Sequence, residues 1–166
     1  MPQIPRISIG PLQHPNEAHA CARFMADSEP WLTLRRGYED GLRALRDSTR
    51  EVYVAWVGDA LAGFIILNLS GPLNGYVQTV CVAPEWRNRG VGHQLLAFAE
   101  ARIFRQSPNV FLCVSSFNAD AQRFYDRLGY QRIGELRDYV VQGHSEILMR
   151  KTLGPLAGFQ PPSSSS

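Results

Sequence analysis

The apolar run Tyr76-Val77-Gln78-Thr79-Val80-Cys81-Val82 leads through Ala83-Pro84-Glu85-Trp86 into Arg87-Asn88-Arg89-Gly90-Val91-Gly92. Leu95, Leu96, Ala99 and Ile103 follow at helical spacing. A strand therefore feeds a glycine-spaced turn that opens a helix. The first N–H groups of a helix have no intrahelical acceptor, and the helix dipole adds partial positive charge there. Gly90 and Gly92 carry no Cβ, so the backbone can approach an anion closely. Such a turn suits a pyrophosphate. Spacing excludes two similar turns. A P-loop needs two glycines five apart followed by Lys and Ser or Thr, and the dinucleotide fingerprint needs a third glycine where this chain has Leu95. By itself, Arg-x-x-Gly-x-Gly leaves open a turn that only redirects the chain.

The surrounding pattern gives the turn a frame. Arg6 to Leu12 reads as a first strand, and Pro15 and Asn16 start a helix through Met25 with Ala18, Cys21, Ala22 and Met25 on one face. A second helix is expected from Tyr38 to Arg46; Trp31 in the connection reads first as a plug of the core, with the lining of a substrate groove as the alternative. Val52–Val57 and Ala60–Leu69 read as strands joined by Gly58-Asp59, and Asn74-Gly75 as a further turn into the strand at Tyr76. The long helix is expected from Val91 to Gln106, then a doubly covered strand at Val110–Val114. Asn118 fits the N-cap of a helix bearing Ala121, Phe124, Tyr125 and Leu128, and Gly129 fits its end. Two last strands, Tyr130–Val141 and Ser145–Thr152, flank Gln142-Gly143-His144. The order β-α-α-β-β-β-α-β-α-β-β predicts a mixed sheet with helices on its faces, not a doubly wound parallel sheet. Residues 1–153 are expected to form one domain, and the Pro- and Ser-rich stretch 154–166 a mobile tail.

Bulk properties narrow the function classes. The 166 residues are 45% hydrophobic with a net charge of +2, which suits a globular protein and by itself implies neither nucleic acid nor membrane. Apolar runs are too short to span a bilayer, and the N-terminus lacks a signal-peptide core, so a cytoplasmic location is expected. Cys21, Cys81 and Cys113 form neither a metal-ligand spacing nor an even disulfide set; no metal is expected. They read as small buried hydrophobes.

Two segments carry a family resemblance. Val80 to Gly92 resembles the acetyl-CoA-binding motif of the GNAT superfamily of N-acetyltransferases, and Asn118-Ala119-Asp120-Ala121-Gln122-Arg123-Phe124-Tyr125-Asp126-Arg127-Leu128-Gly129-Tyr130 resembles its second motif. They occur in the family's order on the family's elements, within roughly residues 50 to 152. The resemblance implies an α/β fold, a mixed sheet of about seven strands with splayed central strands and helices on both faces. It implies acetyl-CoA as cosubstrate and transfer of acetyl to a primary amine by direct attack in a ternary complex. Backbone groups of Val80, Cys81 and Val82 would pair with the pantetheine arm. Amides of Asn88, Arg89, Gly90, Val91, Gly92 and His93 would hold the pyrophosphate, Arg87 and Arg89 would add charge, and Asn118 would bond near the pantetheine. Tyr125 would protonate the departing thiolate, and the N–H of Val80 would donate to the oxyanion. Read without the motif, Tyr125 is a core tyrosine on the apolar face of its helix.

The amine must be neutral to attack, which calls for a base or a water chain at neutral pH. The positions at which branches of the family carry a glutamate are Tyr76 and Cys113 here. No base is assigned from sequence. Gln78 or Thr79 could order a water, while His144, Asp138 and Tyr139 in the late hairpin read first as surface residues. Gly134-Glu135-Leu136-Arg137-Asp138-Tyr139 loosely resembles the branch that acetylates protein N-termini, which favours a peptide α-amine and leaves small-molecule amines open. A homodimer is plausible. Competing readings are an acyl-CoA-binding sensor without turnover and a phosphate-binding α/β domain for another ligand.

Overall fold

The computed structural model describes residues 6–163. The expectation of no leader at the extreme N-terminus and the end of the expected tail, 164–166, lie outside them. The elements are β1 (Ile7–Pro11), α1 (Pro15–Ala26), α2 (Tyr38–Leu45), β2 (Glu51–Val57), β3 (Ala60–Asn68), β4 (Tyr76–Val82), a 3-10 turn (Pro84–Trp86), α3 (Val91–Ile103), β5 (Asn109–Ser115), α4 (Ala119–Arg127), β6 (Gln131–Arg137) and β7 (Ser145–Thr152). Seven strands form one mixed sheet in the order β1-β2-β3-β4-β5-β7-β6. β4 and β5 run parallel, and their ladder ends after two pairs, Tyr76↔Phe111 and Val77↔Leu112. The chain folds as two compact units, one of residues up to Leu67 with Thr79–Ala99, the other of Asn68–Gln78 with residues from Glu100 onward.

In the first unit the apolar faces read from sequence meet. Ala18, Cys21, Ala22 and Met25 of α1 and Leu42 and Leu45 of α2 pack with Val54 of β2, Phe64 and Ile66 of β3 and Cys81 of β4. Trp31 packs against this cluster, as its plug role predicts. The opposite face of β2 and β3 takes α3, where Tyr53 meets Phe98 edge-on at 4.7 Å. A Cβ at Gly63 would lie 3.2 Å from Leu95 Cδ1 and 2.6 Å from the Cys81 carbonyl oxygen. A side chain there would push β4 away from β3.

The second unit is built on β5 and β7, antiparallel over seven pairs from Asn109↔Thr152 to Ser115↔Glu146. Val110, Leu112 and Val114 are buried on one face of β5 and Met149 on β7. The alternate residues Phe111, Cys113 and Leu148 are only half-buried. Tyr130 donates to Glu100 Oε1 at 2.9 Å, and Lys151 Nζ lies 2.9 Å from Glu100 Oε2. The last strand but one is shorter than its sequence predicts. It stops at Arg137 because Asp138 takes a positive φ of 52°. The Asp138 carboxylate then accepts the Gly143 N–H at 2.7 Å, closing a turn where four more strand residues, 138 to 141, were expected. α3 is also shorter, ending at Ile103, after which Ser107 N–H returns to the Ile103 carbonyl at 3.0 Å.

Candidate active site

The first group of expected site residues lies in the first unit, on β4 and the loop that follows it. Ala83 N–H reaches the Ala62 carbonyl at 2.8 Å and fixes where the chain leaves the sheet. Arg87 then turns inward, donating from Nε to the Val82 carbonyl at 3.3 Å and from Nη2 to the buried Ser28 hydroxyl at 3.0 Å. Though exposed, its side chain braces the loop through these two bonds. Arg89 lies over the Trp86 ring, 5.3 Å from the centroid. Asn88 at φ 58° and Gly90 at φ 86° take left-handed backbone, which swings successive peptide N–H groups to one side.

Helix α3 begins at Val91, which is 1% exposed and anchors the turn to the core. Its first backbone bond runs from Gln94 N–H to the Gly90 carbonyl at 3.0 Å. The N–H groups of Val91, Gly92 and His93, in the first turn of α3, have no acceptor one turn back within the helix. Asn88, Arg89, Gly90 and His93 are exposed, and a Cβ at Gly90 would meet nothing within 4 Å. An exposed glycine-bearing helix start of this kind fits a diphosphate in charge. Behind it, burial pushes the Cys81 thiol up to about 12, so this cysteine is an inert core group, as its sequence setting predicts. Cys21 is likewise buried with its pKa raised.

The second group lies in the other unit, on α4. Asn118 caps this helix, its Oδ1 accepting from Ala121 N–H at 3.2 Å, which satisfies one orphan donor. Asn118→Ala is expected to cost about 1 kcal/mol of stability, read from the urea midpoint at constant m-value. Tyr125 lies two turns further on. Its ring packs edge-on against Tyr130 at 5.8 Å and beside Phe124 at 5.4 Å. No described residue hydrogen-bonds its hydroxyl, although the residue is only half-buried. Burial pushes this phenol up to about 12, so it keeps its proton at any physiological pH and stays a donor.

Tyr76 and Tyr130 are raised as well, chiefly by burial, with Cys113 and Glu100 as respective neighbours. The sign of the pH effect follows. Unfolded phenols lose their protons near pH 10 while the folded ones hold theirs, so stability is fully present below about pH 10 and falls as alkali rises through the folded values. Urea midpoints should therefore drop between about pH 10 and 12. Tyr130→Phe should soften that drop.

The sequence also passed over a residue. Glu146 on β7 is 6% exposed and accepts the Ser115 hydroxyl at 2.7 Å. Its negative charge raises the pKa of both Tyr76 and Cys113, and the Tyr76 hydroxyl donates to the Cys113 sulfur. A carboxylate between strand residues such as Ser145 and Ile147 is a recognisable signal, because Asp and Glu are depleted in strands. His144 packs its ring against Phe117 at 4.9 Å, and Tyr139 is 64% exposed. Among the described residues no group of three or more His, Cys, Asp or Glu is placed to hold a metal, and no helix is long and apolar enough to cross a membrane.

The family profile described as the acetyltransferase (GNAT) family matches residues 16–130. The chain belongs to this family. As a GNAT chain it is 34% identical over 156 residues to the N-alpha-acetyltransferase RimI of Mycobacterium tuberculosis (strain ATCC 25618 / H37Rv), covering 89% of this chain and 94% of the relative. An uncharacterized protein of Mycobacterium leprae (strain TN) is 31% identical over 153 residues, or 87% of this chain; the GNAT chain spans only 40% of that protein's length. The fold matches the crystal structure of an aminoglycoside 6'-N-acetyltransferase complexed with coenzyme A. The TM-score is 0.68 at 17% identity, over 89% of this chain and 98% of the other.

Proposed function

We propose that this chain moves an acetyl group from acetyl-CoA to a primary amine, the amine attacking the thioester directly in a ternary complex. The observation that carries the reading is the exposed start of α3, anchored by buried Val91, with left-handed Asn88 and open Gly90. The N–H groups of residues 88 to 93 would clasp the diphosphate of the cosubstrate, with Arg89 and the braced Arg87 adding positive charge. Backbone groups of Val80, Cys81 and Val82 would pair with the pantetheine arm as an added strand, and the remaining polar atoms of Asn118 would bond near it. The Val80 N–H would stabilise the oxyanion of the tetrahedral intermediate. Tyr125 would give its proton to the leaving sulfur. The likeness to a mycobacterial N-alpha-acetyltransferase favours a peptide α-amine as acceptor.

The test has two readouts. Acetyl-CoA at about a hundred times its Kd should stabilise the fold by about 2.7 kcal/mol, read as a rise in Tm. Free thiol should appear when acceptors are added from a panel of peptides with free N-termini, polyamines, amino acids and aminoglycosides. No rise in Tm overturns the reading. A rise in Tm without thiol release from any acceptor replaces it with an acyl-CoA-binding module that lacks turnover.

A further inference from the structure

Direct attack by an amine leaves one proton to be placed, and Glu146 is a buried acidic side chain that the reading above does not use. Three strands and a loop contribute to its surroundings. On β5, Ser115 is its register partner and donates to it, and Cys113 stands two residues away on the same face. On β6, its partner is Leu136. From β4, Tyr76 reaches across to bond the Cys113 sulfur. Tyr139, in the loop after β6, acts electrostatically on Tyr76.

This face is also the accessible one. Tyr76, Phe111, Cys113 and Leu148 are half-buried, whereas Leu112, Val114 and Met149 on the other face are at most 4% exposed. The β4–β5 ladder stops at Leu112, so the stretch of β5 that carries Cys113 and Ser115 is laddered to β7 alone. The helix carrying Tyr125 is tied to the same place. Gln122, one turn before Tyr125, donates from Nε2 to the Ser115 and Ser116 carbonyls at 3.1 and 3.0 Å. Ser115 therefore links α4 on its backbone side to Glu146 on its hydroxyl side.

We propose that the Glu146 carboxylate receives the proton of the acceptor ammonium, so that the amine attacks as a neutral nucleophile. This rests on the transferase reading. The balance closes as follows. The ammonium N–H bond breaks and a carboxyl O–H bond forms. The nitrogen lone pair then makes the new C–N bond as the carbonyl π pair moves onto oxygen, and the return of that pair breaks the C–S bond. The sulfur takes a proton from Tyr125, the phenolate regains one from the cationic nitrogen, and Glu146 returns its proton to water. A carboxylate beside half-buried Cys113 and Tyr76 also attracts an ammonium on arrival.

The test compares wild type with Glu146→Gln, using acetyl-CoA and the best acceptor peptide with a free N-terminal amine. At pH 7, where about a tenth of an α-amine is neutral, the variant should lose about tenfold in kcat/KM. Its activity should climb with pH through about 8, the pKa of an α-amine, and approach wild type near pH 9.5, where the amine is already neutral. Acetyl-CoA affinity and Tm should match wild type within error, which a merely structural role would not allow. An equal loss at every pH, or no loss, overturns the inference while leaving the transferase reading standing. Absence of turnover by wild type across the acceptor panel overturns both. Should Glu146→Gln not fold, Glu146→Asp, which withdraws the carboxylate by one methylene, is read by the same alkaline recovery.

Discussion

Tyr125→Phe is expected to lower acetyl-CoA turnover by about a hundredfold while leaving acetyl-CoA affinity nearly unchanged. The substitution keeps the ring that packs on Tyr130 and Phe124 and removes only a hydroxyl that no described residue hydrogen-bonds. Little stability depends on that hydroxyl, so the loss should fall on chemistry. The phenol, pushed up to about 12, holds its proton through the ground state. It becomes useful only as negative charge collects on sulfur, which is a transition-state interaction and should appear in kcat. Rapid-quench measurement of single turnovers separates this step from product release. Full activity in the variant would remove Tyr125 from the mechanism.

The largest structural effect is expected at Gly75. Its φ is +89°, and a Cβ would meet the Asn109 carbonyl oxygen and lie 2.6 Å from Ile103 Cγ2. Neither neighbour can retreat easily. Asn109 belongs to a strand, and Ile103 is fully buried at the end of α3. Left-handed backbone costs a non-glycine residue about 1–2 kcal/mol, and overpacking adds about 1–3 kcal/mol. Gly75→Ala should therefore destabilise by about 2–5 kcal/mol, a large share of the stability of a typical domain. Gly143→Ala is the control. It has a similar φ of +88° but nothing within 4 Å of its Cβ, so only the backbone cost of about 1–2 kcal/mol should appear. Urea denaturation of the two variants at one temperature measures the difference. Equal losses would refute the packing argument.

Much of the fold was legible because its signals are local. The Gly58-Asp59 connection between two apolar runs marked β2 and β3, helical spacing marked α1 and α4, and the Asn118 cap and Gly129 stop sit where their chemistry requires. Errors fell at ends, where a side chain outside the pattern decides. The Asp138 carboxylate claims the Gly143 N–H and cuts β6 short, and the turn at Ser107 ends α3 before Gln106. The glycine turn was legible as a turn opening a helix, but the bond from Arg87 to Ser28 was not. The two residues are 59 residues apart in sequence.

What the sequence determined by itself is therefore the frame: two glycine-bearing motifs in order, a helix start able to hold a diphosphate, and a tyrosine on the following helix. Those features depend on dihedral preference, side-chain periodicity and capping, each of which acts over a few residues. Only the tertiary structure decided which carboxylate stands beside Cys113. Ser115 and Glu146 are paired across 31 positions by the register of β5 on β7. A one-residue slip would turn Glu146 to the opposite face. Register is fixed by the whole ladder and its closing turn, so no short window of sequence could have named the pair.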